Sequence, residues 1–287
     1  MPVYDFRLAE RVLRLELPCE LRVGEAFAPF AVSGTDPDCV VTFEETQSLP
    51  PLDGAPLFWS VSAAVYRAGE SFPRLYHEHR DGDRPYAVGR IALDGVREKV
   101  LYLSGNEGCF ADTRSCFSHI AVEELMLGLG RLMLHASFVS SPWGGILFCG
   151  PSGIGKSTQA ELWSRYMGSE VINGDRPFVG LENGEWCAWG SPYAGSSGYH
   201  VARSEPIAAI VMLEQGTDDH LERMTPRESF TALFASAVIN SWNPRFVAVA
   251  SDMAAQLAAE IPVLRYRCTP EVSAVTELKR ALEEICG

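Results

Sequence analysis

The chain has 287 residues, 47% of them hydrophobic and 21% charged, which is enough apolar material for two modest domains or one large one and excludes a disordered chain. Its formal charge of −13, from 24 basic and 37 acidic residues with no Lys/Arg run, argues against nucleic acid as a partner. No window reaches the roughly eighteen uncharged apolar residues of a membrane span, residues 1–10 lack the apolar heart of a signal peptide, and the eight cysteines form neither a CxxC nor a zinc-spaced cluster; the expectation is a cytoplasmic protein with free thiols and no membrane partner.

In chain order, residues 1–115 predict a β-rich N-terminal domain. RVLRLEL (11–17), VVTFEE (40–45), FWSVSAAVYRA (58–68) and KVLYLS (99–104) alternate or run apolar at strand length. They are separated by the turn residues Ser33-Gly34, Pro50-Pro51, Asp53-Gly54 and Asp81-Gly82-Asp83. The mostly apolar stretch 117–134, FSHIAVEELMLGLGRLML, predicts a buried helix that links two domains over 116–133.

Residues 134–287 then alternate strand and helix. Strand GILFC (145–149) is followed by helix STQAELWSRYM (157–167), with Leu162, Trp163 and Tyr166 facing inward. Next come strand EVIN (170–173), a hairpin turning at Asn183-Gly184 and strand AAIVMLE (208–214). Helices over 226–237 and 246–259, strand VLRYR (263–267) and a last helix capped by Thr269 with Pro270 in its first turn complete the chain. The fold class is α/β of mixed type, a β-rich front domain followed by a nucleotide-binding domain over 134–287.

Gly150-Pro151-Ser152-Gly153-Ile154-Gly155-Lys156-Ser157 fits G-x-x-x-x-G-K-S/T. The pattern matters because backbone N–H groups must converge on polyphosphate, and only a glycine-rich turn allows that sterically. The helix that follows adds its unpaired N–H groups and positive dipole end. Lys156 is one of only three lysines, with Lys99 and Lys279, and it stands where a compact ammonium serves better than a guanidinium fork. The loop predicts binding of ATP or GTP with Mg2+, Lys156 bridging the outer phosphates and the Ser157 hydroxyl on the metal.

Such a loop needs a carboxylate to hold the metal or activate the attacking group. Asp175, in VINGDRP just past the strand that follows the loop's helix, sits where ligands collect in α/β sheets. Glu214, ending IVMLE, is a rival for the metal-holding part, and Asp252 is a weaker third. His135 opens HASFV, the strand before the one that feeds the loop, and could lie beside the phosphates, although a lone histidine at an apolar strand edge is more often a structural hydrogen-bonder. Arg176, Arg203 and the Gly/Ser-rich segment 190–200, GSPYAGSSGYH, are candidates for phosphate or substrate contact.

Together, LHASFVSSPWGGILFCGPSGIGKST and VINGDRP resemble the catalytic domain of the HPr serine kinase/phosphorylase family, related in fold to the ATP-type phosphoenolpyruvate carboxykinases. A histidine strand, a turn, a buried strand, a phosphate loop and an acid-Arg segment follow in that order over residues 134–213. The resemblance implies a P-loop kinase domain. In it Gly150, Pro151, Ser152, Gly153, Ile154, Gly155, Lys156, Ser157 and Thr158 would hold ATP, and Ser157 would touch Mg2+. Asp175 would be base and metal partner, and His135 would tune it.

Two departures stand out. The family carries two adjacent acids, and the first position here is Gly174. The N-terminal half instead resembles a set of shorter bacterial kinase-like proteins with GDRPFV, GSP and GSS elements, some of which sit with peptide-tailoring systems. The expected activity is ATP- and Mg2+-dependent phosphate transfer to a hydroxyl, a Ser in a protein or peptide. The alternative is a non-catalytic, nucleotide-gated binding or assembly protein for a peptide partner, which the missing acid favours. A carboxykinase is disfavoured, since no separate metal cage or carboxylate-binding arginine set is evident near the loop.

Overall fold

The computed structural model describes residues 1–78 and 84–286, so the Asp81-Gly82-Asp83 turn lies outside the described residues. The chain is mixed α/β and divides into two units, Met1–Leu129 with Asn240–Phe246, and Gly130–Ile239 with Val247–Gly287.

In the first unit the described strands form one sheet. Its order from edge to edge is Ala31–Val32, Val3–Leu8, Arg11–Glu16, Cys39–Thr46, Arg97–Leu103, Pro85–Ile91, Arg74–His77, Ala63–Val65 and Phe58–Trp59. Period-two burial decides which face packs: Cys39, Val41 and Phe43 point inward along one strand, Phe6 and Leu8 along another. Phe6, Phe27 and Phe117 close the core, the rings of Phe27 and Phe117 lying 4.5 Å apart.

Two predicted elements are corrected in this unit. The 58–68 run is two short strands, because the Ser60 hydroxyl bonds both the N–H and the carbonyl of Ala63 and closes a turn between them. The 117–134 stretch is helix Thr113–Phe117, helix Val122–Gly128 and strand Leu132–Met133 rather than one linking helix. Uniform apolarity carries no period to separate these forms. Gly128 approaches the Gly95 carbonyl so closely that a Cβ would stand 3.0 Å from its oxygen, and Gly130 takes a left-handed φ of 75° that ends the helix.

Helix Val122–Gly128 brings Glu123 and Glu124 onto Arg74 at 2.7 and 2.8 Å, and Asn240 donates to both carboxylates. Glu98 lies beside this group, almost fully buried, with Oε2 accepting from the Ala121 N–H at 2.8 Å and Oε1 without a hydrogen bond. Burial pushes its pKa up to about 8 against the pull of Arg74. The folded state therefore keeps a proton that the unfolded chain loses from about pH 4.5 upward, so stability falls as pH rises from there through 8. Glu98→Gln is expected to flatten that decline, worth on the order of a few kcal/mol across the window. Urea unfolding at a series of pH values measures it, and an unchanged slope would assign the effect to another group.

In the second unit one long strand, Ser204–Gln215, organises the sheet. Its first part pairs antiparallel with Glu185–Trp189, beyond which lie Phe178–Glu182 and Leu132–Met133. Its apolar second part runs parallel to Gly144–Cys149 on one side and to Val263–Cys268 on the other. Ala136–Ser141 and Val171–Asn173 continue past Gly144–Cys149. The Asn183-Gly184 hairpin forms as predicted, with both residues at positive φ, 51° and 85°.

Helices Lys156–Met167 and Val272–Cys286 contribute Ala160, Trp163, Val275, Leu278 and Leu282 to the core around Phe148, Val211, Leu264 and Tyr266. Trp163 is inward and Leu162 partly so, but Tyr166 is 48% exposed: the buried stripe passes from Trp163 to Met167, and Tyr166 lies outside under the Arg165 guanidinium. Nor does Thr269 cap the last helix, which begins at Val272; Asp219 takes both the N–H and the hydroxyl of Thr269 at 2.7 and 3.0 Å.

Candidate active site

The parallel strand Gly144–Cys149 ends in the 150–155 turn, and helix Lys156–Met167 leaves it. Gly150, Gly153 and Gly155 adopt φ values of 142°, 79° and 116°, where a side chain would be strained. Gly150 is also crowded: a Cβ would stand 3.1 Å from Ile154 and 3.4 Å from the Leu213 carbonyl of the neighbouring parallel strand. No side chain caps the helix, so its first-turn N–H groups lack an intrahelical or capping acceptor. Lys156 is mostly buried and donates to the Gly150 and Pro151 carbonyls at 3.0 and 3.1 Å. Burial lowers its pKa, opposed by the charge of Asp175.

Asp175 lines the same cavity from a separate segment. It follows strand Val171–Asn173, whose last residue is wholly buried. The Asn173 amide oxygen accepts the N–H groups of Asp175 and Arg176 at 3.1 and 2.8 Å, while its NH2 donates to the Ser191 carbonyl at 2.9 Å. Asn173 thus both shapes the turn that presents Asp175 and ties it to the 190–200 segment. Across the sheet, the Ala136 N–H donates to the Asp175 carbonyl and the Ser137 hydroxyl to that of Gly174, each at 3.0 Å. The Asp175 carboxylate lies 3.2 Å from His135 Nε2 and 3.3 Å from Arg176 Nε. The His135 pKa is lowered, by burial first and by Lys156 second, so the ring faces Asp175 as neutral imidazole near pH 7.

A cavity of about 290 Å³ is lined by His135, Ser152, Gly153, Gly155, Lys156, Ser157, Thr158, Gly174, Asp175, Ser196 and Ser197. It brings together the loop, His135 and Asp175, while Gly150, Pro151 and Ile154 are not among its lining residues. Three other candidates are not gathered there. Glu214 lies 3.4 Å from Arg265, Arg203 is held by Glu170 and Glu205, and Asp252 is exposed on helix Pro244–Glu260. Each is better matched to an available partner, or to water, than to the cavity.

The structure also gives Gly174 a steric reason. A Cβ there would stand 1.6 Å from Ser197 Oγ, 2.8 Å from Ser197 Cβ and 2.9 Å from the Ala194 carbonyl, so the 190–200 segment fills the space a second acid would need. Gly195 presses on Asp175 itself, since its Cβ would stand 2.8 Å from Asp175 Cβ. Gly174→Ala is expected to cost about 1–3 kcal/mol through overpacking, with partial recovery when Ser197→Gly is added. Chemical denaturation of the single and double variants measures this; additive effects would mean that the two positions do not meet.

Local sequence does not mark Asn173, Ser191, Gly195, Ser196 or Ser197 individually as site residues. The density of Gly and Ser in 190–200 marked the segment, but nothing local showed that it folds onto Asp175.

No family model matches the chain, and no curated protein matches it. Among solved structures it is similar to the Hpr(Ser) kinase/phosphatase from Coxiella burnetii, at 13% identity and a TM-score of 0.32, over 53% of this chain and 93% of that one.

The site fits a polyphosphate on its own chemistry: positive-φ glycines, uncapped helix N–H groups and one ammonium border a cavity that the Asp175 carboxylate also lines. Among the described residues no cluster of three or more His, Cys, Asp or Glu could hold a metal alone. Magnesium on a polyphosphate needs only one or two protein ligands, which Ser157 and Asp175 could supply.

Proposed function

We propose that the chain is an ATP- and Mg2+-dependent kinase that transfers the terminal phosphate to a hydroxyl, a Ser of a protein or peptide. One observation carries this: Lys156, Ser157, Asp175 and His135 line a single small cavity although they come from three separate stretches of chain. When bound, the nucleotide supplies the transferable phosphate and magnesium spreads its charge. The loop amides and Lys156 orient the phosphates, and Ser157 offers its hydroxyl to the metal. Asp175 orients the incoming hydroxyl and accepts its proton, and His135, facing it as neutral imidazole, fixes the carboxylate's direction.

The test is a titration with Mg2+-ATP followed by a search for phosphate on added Ser peptides. Absence of nucleotide binding would end the proposal. A second reading has one observation behind it. The space beside Asp175 is filled by Ser197, leaving a single carboxylate at the site, which suits a protein that binds nucleotide to gate a peptide partner without catalysis. Nucleotide binding without product on any acceptor, together with nucleotide-dependent peptide binding, would favour it.

A further inference from the structure

Five hydroxyl residues line the cavity: Ser152, Ser157 and Thr158 belong to the phosphate loop and its helix, whereas Ser196 and Ser197 come from the 190–200 segment, outside the loop, and have no part in the proposed transfer. They reach it because the 190–200 segment bends twice through left-handed glycines, Gly195 at φ 60° and Gly198 at φ 80°. Gly195 lies directly against the Asp175 side chain, and the next residue, Ser196, lines the same cavity as the proposed base. The segment is held in place at both sides: Asn173 holds Ser191, the Gly174 N–H donates to the Tyr199 carbonyl at 3.2 Å, and the Val201 N–H to that of Ile172 at 2.9 Å. The two serines differ. Ser197 Oγ donates to the Ala194 carbonyl at 2.8 Å, whereas Ser196 is exposed and makes no hydrogen bond to another described residue.

We propose that Ser196 is an internal phosphate acceptor, so that the protein phosphorylates its own 190–200 segment; this rests on the kinase reading of the same site. Asp175 takes the hydroxyl proton as Ser196 Oγ forms a bond to the terminal phosphorus of a nucleoside triphosphate. The bond from that phosphorus to its bridging oxygen breaks, and the electron pair leaves on the nucleoside diphosphate. Because Ser196 and the loop belong to one unit of one chain, the reaction is intramolecular. The product places a dianion beside Asp175 and opposite the phosphate loop, where it repels both an incoming acceptor and a second nucleotide. Self-modification therefore restrains the site.

The purified full-length chain, incubated with Mg2+-ATP and mapped by mass spectrometry, is expected to carry one phosphate on Ser196. The fraction modified per minute should not change on dilution, and the label should vanish in Ser196→Ala. A readout independent of turnover is nucleotide affinity: Ser196→Glu, with its charge in place beforehand, is expected to weaken ATP binding by about tenfold in a calorimetric titration. If the parent binds ATP and phosphorylates an added Ser peptide, but Ser196 stays unmodified and Ser196→Glu binds ATP as the parent does, the inference fails while the kinase reading stands. Phosphate on Ser197 instead, or a rate per molecule that rises with concentration, would also overturn it. Absence of ATP binding removes both together.

Discussion

Asp175→Asn is expected to lower phosphate transfer by a factor on the order of 10² to 10⁴ while leaving nucleotide affinity within a few-fold of the parent. The amide keeps the shape of the carboxylate, so Asn173 and the Ala136 N–H still hold the turn in place through its backbone. What is lost is a proton acceptor and one of the two oxygens that could face a metal. Lys156 and the uncapped helix end are untouched, which separates binding from chemistry. Single-turnover transfer to a Ser peptide, run beside a calorimetric titration, reads the two quantities independently. Full activity in this variant would take Asp175 out of the mechanism, and the neighbouring His135 would then have no carboxylate to orient.

On the proposed reading, Lys156→Ala is expected to reduce nucleotide affinity by about 10²-fold or more, since it removes the cation that would meet the outer phosphates. The fold should survive. The two carbonyls that Lys156 satisfies belong to the loop, and Ala is a good first-turn residue, so circular dichroism should match the parent. Lys156→Arg is not expected to rescue binding, because a planar fork cannot occupy the mostly buried seat of a compact ammonium. Near-parental affinity for Mg2+-ATP in Lys156→Ala would contradict the phosphate-loop assignment itself.

Three acids compete for the metal on sequence, Asp175, Glu214 and more weakly Asp252, and the fold separates the first two. Both follow apolar strands. Asp175 turns into the cavity because Asn173 bends the chain there, whereas Glu214 continues along its strand and meets Arg265. Local sequence could not distinguish the two, since the decision lies in a turn made by one buried amide. Arg203 illustrates the same point: its position suggested phosphate contact, yet Glu170 and Glu205 are nearer and of the right sign.

The sequence alone determined the elements whose cause is local. The glycine loop between a buried strand and a helix is one, because its spacing is set by backbone sterics. The Asn183-Gly184 hairpin is another, because both residues accept positive φ at little cost. Where the cause was not local, sequence fell short. The Val3–Leu8 and Arg11–Glu16 hairpin turns on Ala9 and Glu10 at φ 47° and 60°, residues that carry no turn signal, and is held by pairing along the whole length of both strands. The apolar 117–134 stretch could have been helix or strand until its two ends packed in different surroundings.

Tertiary structure alone decided how the site closes. Gly174, which in sequence is a missing acid, is in the folded chain the only residue type that leaves room for Ser197, and Gly195 does the same for Asp175. Those constraints arise between segments about twenty residues apart, through atoms that touch only after the sheet has formed, so no window of sequence contains them.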